Sequence, residues 1–205
     1  RYLGIPGKGQ KTSRFRSVTD LRTDLYYLIL QYIIQQILIK HCIITALILD
    51  TCSNSVIACK TLKNDSFIEG RDFEKLQDPQ TILDTVKSAV ADVTESLEIH
   101  AIGVTGQMHG ILYLDKNNEP CSPLMIWQDE RGNEIFENGE TYAEYLTRVT
   151  GIKAASGFGL TTHFYNIENN LVPENAVMLS TIHDYLAGIL TNTTPVTHSS
   201  DGASL

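Results

Sequence analysis

The chain has 205 residues, long enough for one buried core, with 24 acidic against 16 basic side chains and a formal charge of −8. That surplus of carboxylates excludes general binding to a nucleic-acid backbone, which needs Lys and Arg to displace counterions. Cys42, Cys52, Cys59 and Cys121 form no C-x-x-C pair and have no companion histidine spacing, which excludes a zinc knuckle and reads as reduced cytoplasmic thiols.

Residues 1 to about 20 carry Gly, Pro, Ser and basic side chains without periodicity, the composition of a disordered leader. A phosphate-loop pattern fails there, because Gln10 stands where the lysine belongs and Lys11 comes one place late. Residues 25–49 are apolar enough to raise a membrane span, yet Gln31, Gln35, Gln36, Lys40 and His41 interrupt them. Asp24, Gln31 and Gln35 share one helical stripe, which predicts an amphipathic helix followed by a strand and no membrane partner. The expected division is an atypical leader over 1–40 and a folded domain over 41–205.

From Ile43 the pattern becomes regular. Residues 43–49 form an apolar run ending at Asp50, as a buried strand does, and 55–62 form a second strand closed by the turn at 63–65. Asn64-Asp65-Ser66 and Asn192-Thr193-Thr194 match the glycosylation triplet, which arises often by chance. Asp78-Pro79 opens a helix whose apolar face is Ile82, Val86, Val90, Val93 and Leu97. Strands follow at 101–104 and 110–114, then helices at 142–150, ended by Gly151, and at 182–190. Strands first, then helices alternating with strands, predict a mixed α/β sheet.

Three strings carry chemistry. In the turn after Asp50, Thr51 and Ser53 offer hydroxyls and backbone amides to a phosphate, and Asp50 offers a carboxylate to Mg²⁺ through water. Such Asp, Ser and Asn turns between strands are also the ordinary way to reverse a chain. In the loop after the strand at 101–104, Gln107, Met108 and His109 lie between Gly106 and Gly110, with directional hydrogen-bonding groups suited to sugar hydroxyls. Trp127 and Asp129, the third string, pair a ring for C–H faces with a carboxylate for hydroxyls; the plainer reading is a core Trp beside a solvated charge run.

Taken together, 102–110 and 124–131 resemble the FGGY carbohydrate kinases, and Gln77-Asp78-Pro79 resembles that family's acidic helix opening. Gly157-Phe158-Gly159, Thr181-Ile182-His183-Asp184-Tyr185 and Ser200-Asp201-Gly202-Ala203-Ser204 are more similar to the sedoheptulokinases than to the xylulose or glycerol kinases. The resemblance covers roughly 43–205. It implies an actin-like, ribonuclease-H-like ATPase lobe with a mixed sheet flanked by helices. It also implies ATP and Mg²⁺ as cofactors and phosphorylation of a ketose hydroxyl, sedoheptulose first. Gln107, Met108, His109, Trp127 and Asp129 then contact the sugar, and Asp50, Thr51 and Ser53 serve Mg-ATP. The general-base Asp is expected beyond Leu205, with a second lobe as partner, so no catalytic residue is assigned. Cys52 departs from the Gly or Ser usual in the family. It favours the alternative, a catalytically inactive sugar-binding or interaction protein built on the same lobe.

Overall fold

The computed structural model describes residues 33–95, 97–202 and 205. The expectations for residues 1–32 lie outside them. Over the rest of the expected helix the chain is a strand instead, β1 (Ile33–Ile39). Gln35, Ile37 and Ile39 are buried while Gln36 is exposed, a period of two rather than 3.6. The isoleucines of β1, β-branched and stiff, favour the extended backbone.

β1 lies inside a four-stranded sheet of order β3-β2-β1-β6, with β2 (Ile43–Asp50), β3 (Ser55–Lys63) and β6 (Ala101–Thr105). β1 pairs antiparallel with β2 and parallel with β6, so the sheet is mixed. The register fixes what lies at each end. Ile33 faces Asp50 across the β1–β2 ladder, and Leu38 faces Thr105 across the β1–β6 ladder. Five residue steps along β1 separate these pairs, roughly 16 Å of extended chain. The turn after Asp50 and the loop after Thr105 therefore leave opposite ends of the sheet.

Helix α1 (Pro79–Thr94) covers the sheet. Asp78 caps it, its carboxylate accepting from the amides of Gln80 and Thr81. Ile82, Leu83, Val86 and Val93 join Ile37, Ile39, Ile44 and Ile48 in one core cluster. Burial of each such side chain is worth about 1.5–3 kcal/mol against about 1 kcal/mol for the cap, so the apolar face holds the helix and the cap sets where it starts.

Helix α2 (Tyr142–Thr150) begins in a reciprocal cap between Thr141 and Glu144 and stops at Gly151, whose φ is 70°. Helix α3 (Gly159–Glu168) has no counterpart among the sequence expectations. Helix α4 (Ile182–Thr191) starts at Thr181 and sends Ile182, Tyr185 and Leu186 into the core cluster. Small pairings complete the fold: β4 (Phe67–Ile68), β5 (Leu76–Gln77) and β8 (Leu124–Met125) form one sheet, and β7 (Leu112–Leu114) pairs with β11 (Met178–Ser180). A ribbon of β9 (Ile135–Glu137) and β10 (Glu140–Thr141) leads into α2. No described helix is long and apolar enough to cross a membrane. Asn64 is 2% exposed and donates to the Lys40 carbonyl, so that triplet serves the fold.

An internal β1 makes two measurable demands. Amides of residues 35–39 exchange as slowly as those of β2, and Ile37→Ala lowers stability by about 2–5 kcal/mol in urea denaturation, the cost of a cavity at a site 1% exposed. Fast exchange across 35–39 would show that this segment is not part of the sheet.

Candidate functional site

The site grows from the end of the sheet where parallel β1 and β6 both finish. β1 runs into the turn Lys40-His41-Cys42, and every carbonyl of that turn is engaged. Asn64 donates from its side chain to the Lys40 carbonyl and from its backbone to that of Cys42, and Gln77 Nε2 donates to His41 at 2.8 Å. Because a carbonyl only accepts, the contact with His41 fixes which way the Gln77 amide points. Gln77 Oε1 then accepts from Gln107 Nε2 at 2.8 Å, which orients Gln107 in turn. Gln107 is 8% exposed, and its Oε1 is buried without a partner among the described residues. This amide relay ties the turn after β1 to the loop after β6.

The two segments enclose a cavity of about 540 Å³. Gln107, Met108 and His109 line it on one side, Lys40 and His41 on another, and Trp127, Ser156 and Phe158 close it. His109 has φ 66° and stacks on Phe158 at 4.5 Å between ring centroids. Trp127 meets His41 edge-on at 6.1 Å. Four of the five predicted sugar contacts thus converge here, from two strings well separated in sequence. Gly157 makes the close approach possible: its φ is 83°, and a Cβ there would stand 1.9 Å from the Trp127 carbonyl oxygen.

Asp129, the fifth, does not line this cavity. It is 1% exposed, and each carboxylate oxygen already accepts twice. Oδ1 takes Arg131 N and Nε, and Oδ2 takes Arg131 Nη2 and Lys75 N. No lone pair remains for a sugar hydroxyl. Arg131 extends the network to the side chain of Asn166, which donates to Tyr113 Oη, itself hydrogen-bonded to His163. Burial pushes Glu74 up, but the Arg71 hydrogen bonds and the charges of Arg71 and Arg131 outweigh it and hold the carboxyl below its ordinary 4.5. Asp129 fixes the segment that carries Trp127 and lies outside the lining of the 540 Å³ cavity.

Residues 42–205 match the FGGY family of carbohydrate kinases, N-terminal domain. The chain belongs to that family. Xylulose kinase from Streptomyces coelicolor is 30% identical over 156 residues, 71% of this chain and 31% of that protein. Glycerol kinase from Aquifex aeolicus is 29% identical over 97 residues, 45% of this chain and 20% of that protein. Ligand-bound xylulose kinase from Lactobacillus acidophilus superposes with a TM-score of 0.71 at 20% identity, over 84% of this chain and 36% of that one. Plasmodium falciparum glycerol kinase with ADP gives 0.70 at 18% identity, over 84% and 37%. The structural likeness shows the fold, an actin-like ATPase lobe. The chain spans about a third or less of the length of these relatives.

In this FGGY domain the expected phosphate side does not join the sugar side. Asp50, Thr51 and Ser53 sit at the sheet end opposite Gln107. Hydrogen bonds from Ser53 Oγ and Cys52 N hold the Asp50 carboxyl below its ordinary 3.8 and occupy both its oxygens within its own turn. Among the described residues no group of three His, Cys, Asp or Glu could hold a metal ion. β2 runs against β1, so the carboxyl end of β2, which carries Asp50, points away from the cavity. Neither Lys40, the last residue of the expected leader, nor His41, the first of the expected domain, is among the sequence-predicted site residues. The alternating burial of β1 is the signal that finds them.

Removing one partner of the buried pair strands the other charge, so Asp129→Asn costs about 3–5 kcal/mol in urea denaturation; a loss under about 1 kcal/mol would show that the pair does not hold this wall. The depressed Glu74 carboxyl stabilises the fold above its ordinary 4.5, and that stability is lost as pH falls through its lower folded value. Thermal melts below pH 4.5 should accordingly fall more steeply for the parent chain than for Glu74→Gln.

Proposed function

We propose that this domain binds the sugar acceptor of a carbohydrate kinase that transfers a phosphoryl group from ATP to a ketose hydroxyl in the cytoplasm, with sedoheptulose the first candidate. The observation that carries this reading is the convergence of Gln107, Met108, His109 and Trp127 on one cavity beyond the carboxyl ends of β1 and β6. Ligands of α/β sheets bind at such strand ends. The relatives named above are xylulose and glycerol kinases, which supports a polyol acceptor; the 157–159, 181–185 and 200–204 strings support the seven-carbon ketose.

The residues divide the work by chemistry. Trp127 offers an exposed ring to the C–H face of a sugar, and Met108, 61% exposed, adds an adaptable apolar contact. His109, set by its left-handed backbone and its stack on Phe158, presents an imidazole to hydroxyls. Gln107 holds the loop to the turn after β1 through Gln77. ATP supplies the phosphoryl group when bound, and transfer then depends on holding the acceptor hydroxyl in line with water excluded.

Isothermal titration of the chain with sedoheptulose and xylulose tests the reading. Binding is expected, tighter for the seven-carbon ketose, and His109→Ala and Trp127→Ala each weaken it about tenfold while leaving the far-ultraviolet spectrum unchanged. A folded chain that binds neither ketose would refute the sugar site. Equal binding of both would remove sedoheptulose alone.

A further inference from the structure

The charge around the cavity runs against that of the chain. Among the described residues no carboxylate lines this space. Among the described residues Lys40 is the one lining residue with a formal charge, and His41 and His109 line the same cavity. Among the described residues no carboxylate lies within ion-pair distance of Lys40, whereas Lys60, Lys63 and Lys87 each have one. The lysine also sits on a built platform: its own amide donates to Ile43, its carbonyl accepts from buried Asn64, and the next carbonyl accepts from Gln77. A cation on a braced turn, beside a ring wall, is the arrangement that recognises an oxyanion on a polyol.

We infer that Lys40 makes this cavity a site for a polyol bearing an oxyanion, a carboxylate or a phosphate ester, with the anion at the turn after β1 and the carbon chain along Trp127. The inference rests on the sugar-site reading and deepens it: hydroxyl recognition comes from the loop after β6, anion recognition from the turn after β1. The ammonium is a point charge on a flexible stem, so it follows the anion over a range of chain lengths. Its exposed setting makes the attraction sensitive to salt.

Gluconate and sorbitol differ at a terminal carboxylate on the same six-carbon chain, which isolates the anion. Titration of the chain should show gluconate binding about tenfold tighter than sorbitol, with Lys40→Met bringing gluconate down to sorbitol and Lys40→Arg restoring most of the difference. Xylulose 5-phosphate should follow gluconate in this dependence, and added salt should weaken both while sparing sorbitol. Lys40 is exposed, so the variants are expected to keep the parent melting temperature. Equal binding of gluconate and sorbitol by the parent chain overturns the inference, as does gluconate binding that ignores Lys40→Met. Inorganic phosphate bound through Lys40, with no such effect on gluconate, also overturns it, since the anion would then not belong to the sugar. Ketose binding in the same titrations separates the two readings: ketose bound without a gluconate advantage removes only the anion site, and no sugar bound at all removes both.

Discussion

The buried pair of Asp129 and Arg131 is the contact on which the ligand-facing wall depends. Its side chains are 0% and 3% exposed, and both carboxylate oxygens are saturated. Taking two ions out of water is costly, and geometry repays it only when the remaining donors and acceptors are met. Here they are met by elements from across the chain: the Lys75 amide beside β5, Asn166 on α3, and, through Asn166, Tyr113 on β7. Apolar residues of similar volume could fill the same space. They could not fix one orientation of the 127–131 segment, because dispersion contacts have no direction. Trp127 stands at the mouth of a cavity because Asp129, two residues on, is locked.

The opposite wall is set by backbone pairing. β1 has β2 on one side and β6 on the other, and only the β6 pairing is parallel. Two strands that finish together bring their following loops together, and the Gln107–Gln77–His41 relay closes the gap between them. Each amide in that relay is oriented by the next, ending on a carbonyl that has no alternative role. Local rigidity of this kind keeps the cavity at fixed dimensions.

The parts of this fold that were legible in the sequence are those with local signals. Asp78-Pro79 starts α1, Gly151 stops α2 and Thr181 starts α4, each through a hydrogen bond or dihedral that depends on a few adjacent residues. Helix α3 escaped because Phe158, at its N-cap position, makes no side-chain cap. The pairings β4-β5-β8 and β7-β11 escaped because two or three residues carry no period, and their partners are distant in sequence. β1 was misread for a different reason. Gln35 is buried at 1% on the face it shares with Ile37 and Ile39, and a buried glutamine breaks the apolar run that announces a strand. The grouping of Gln107, Met108, His109 and Trp127 around one cavity was legible by type; that Asp129 spends its carboxylate on Arg131 was not, since adjacency to Trp127 suits either role.

Asp50 shows where residue chemistry stops being informative. Asp, Thr and Ser in a turn between strands have the right groups for a phosphate or a hydrated cation, and the turn Lys40-His41-Cys42 at first sight does not. Place in the sheet reverses that ranking. A turn between antiparallel strands lies at the carboxyl end of one and the amino end of the other, so chemistry alone cannot say which end of the sheet it serves. The β1–β6 pair can, because parallel strands share a carboxyl end and leave a crevice beyond it. Lys40 lies in that crevice and Asp50 lies at the far end of β2, so the register, and not the side chains, decides which turn faces the cavity.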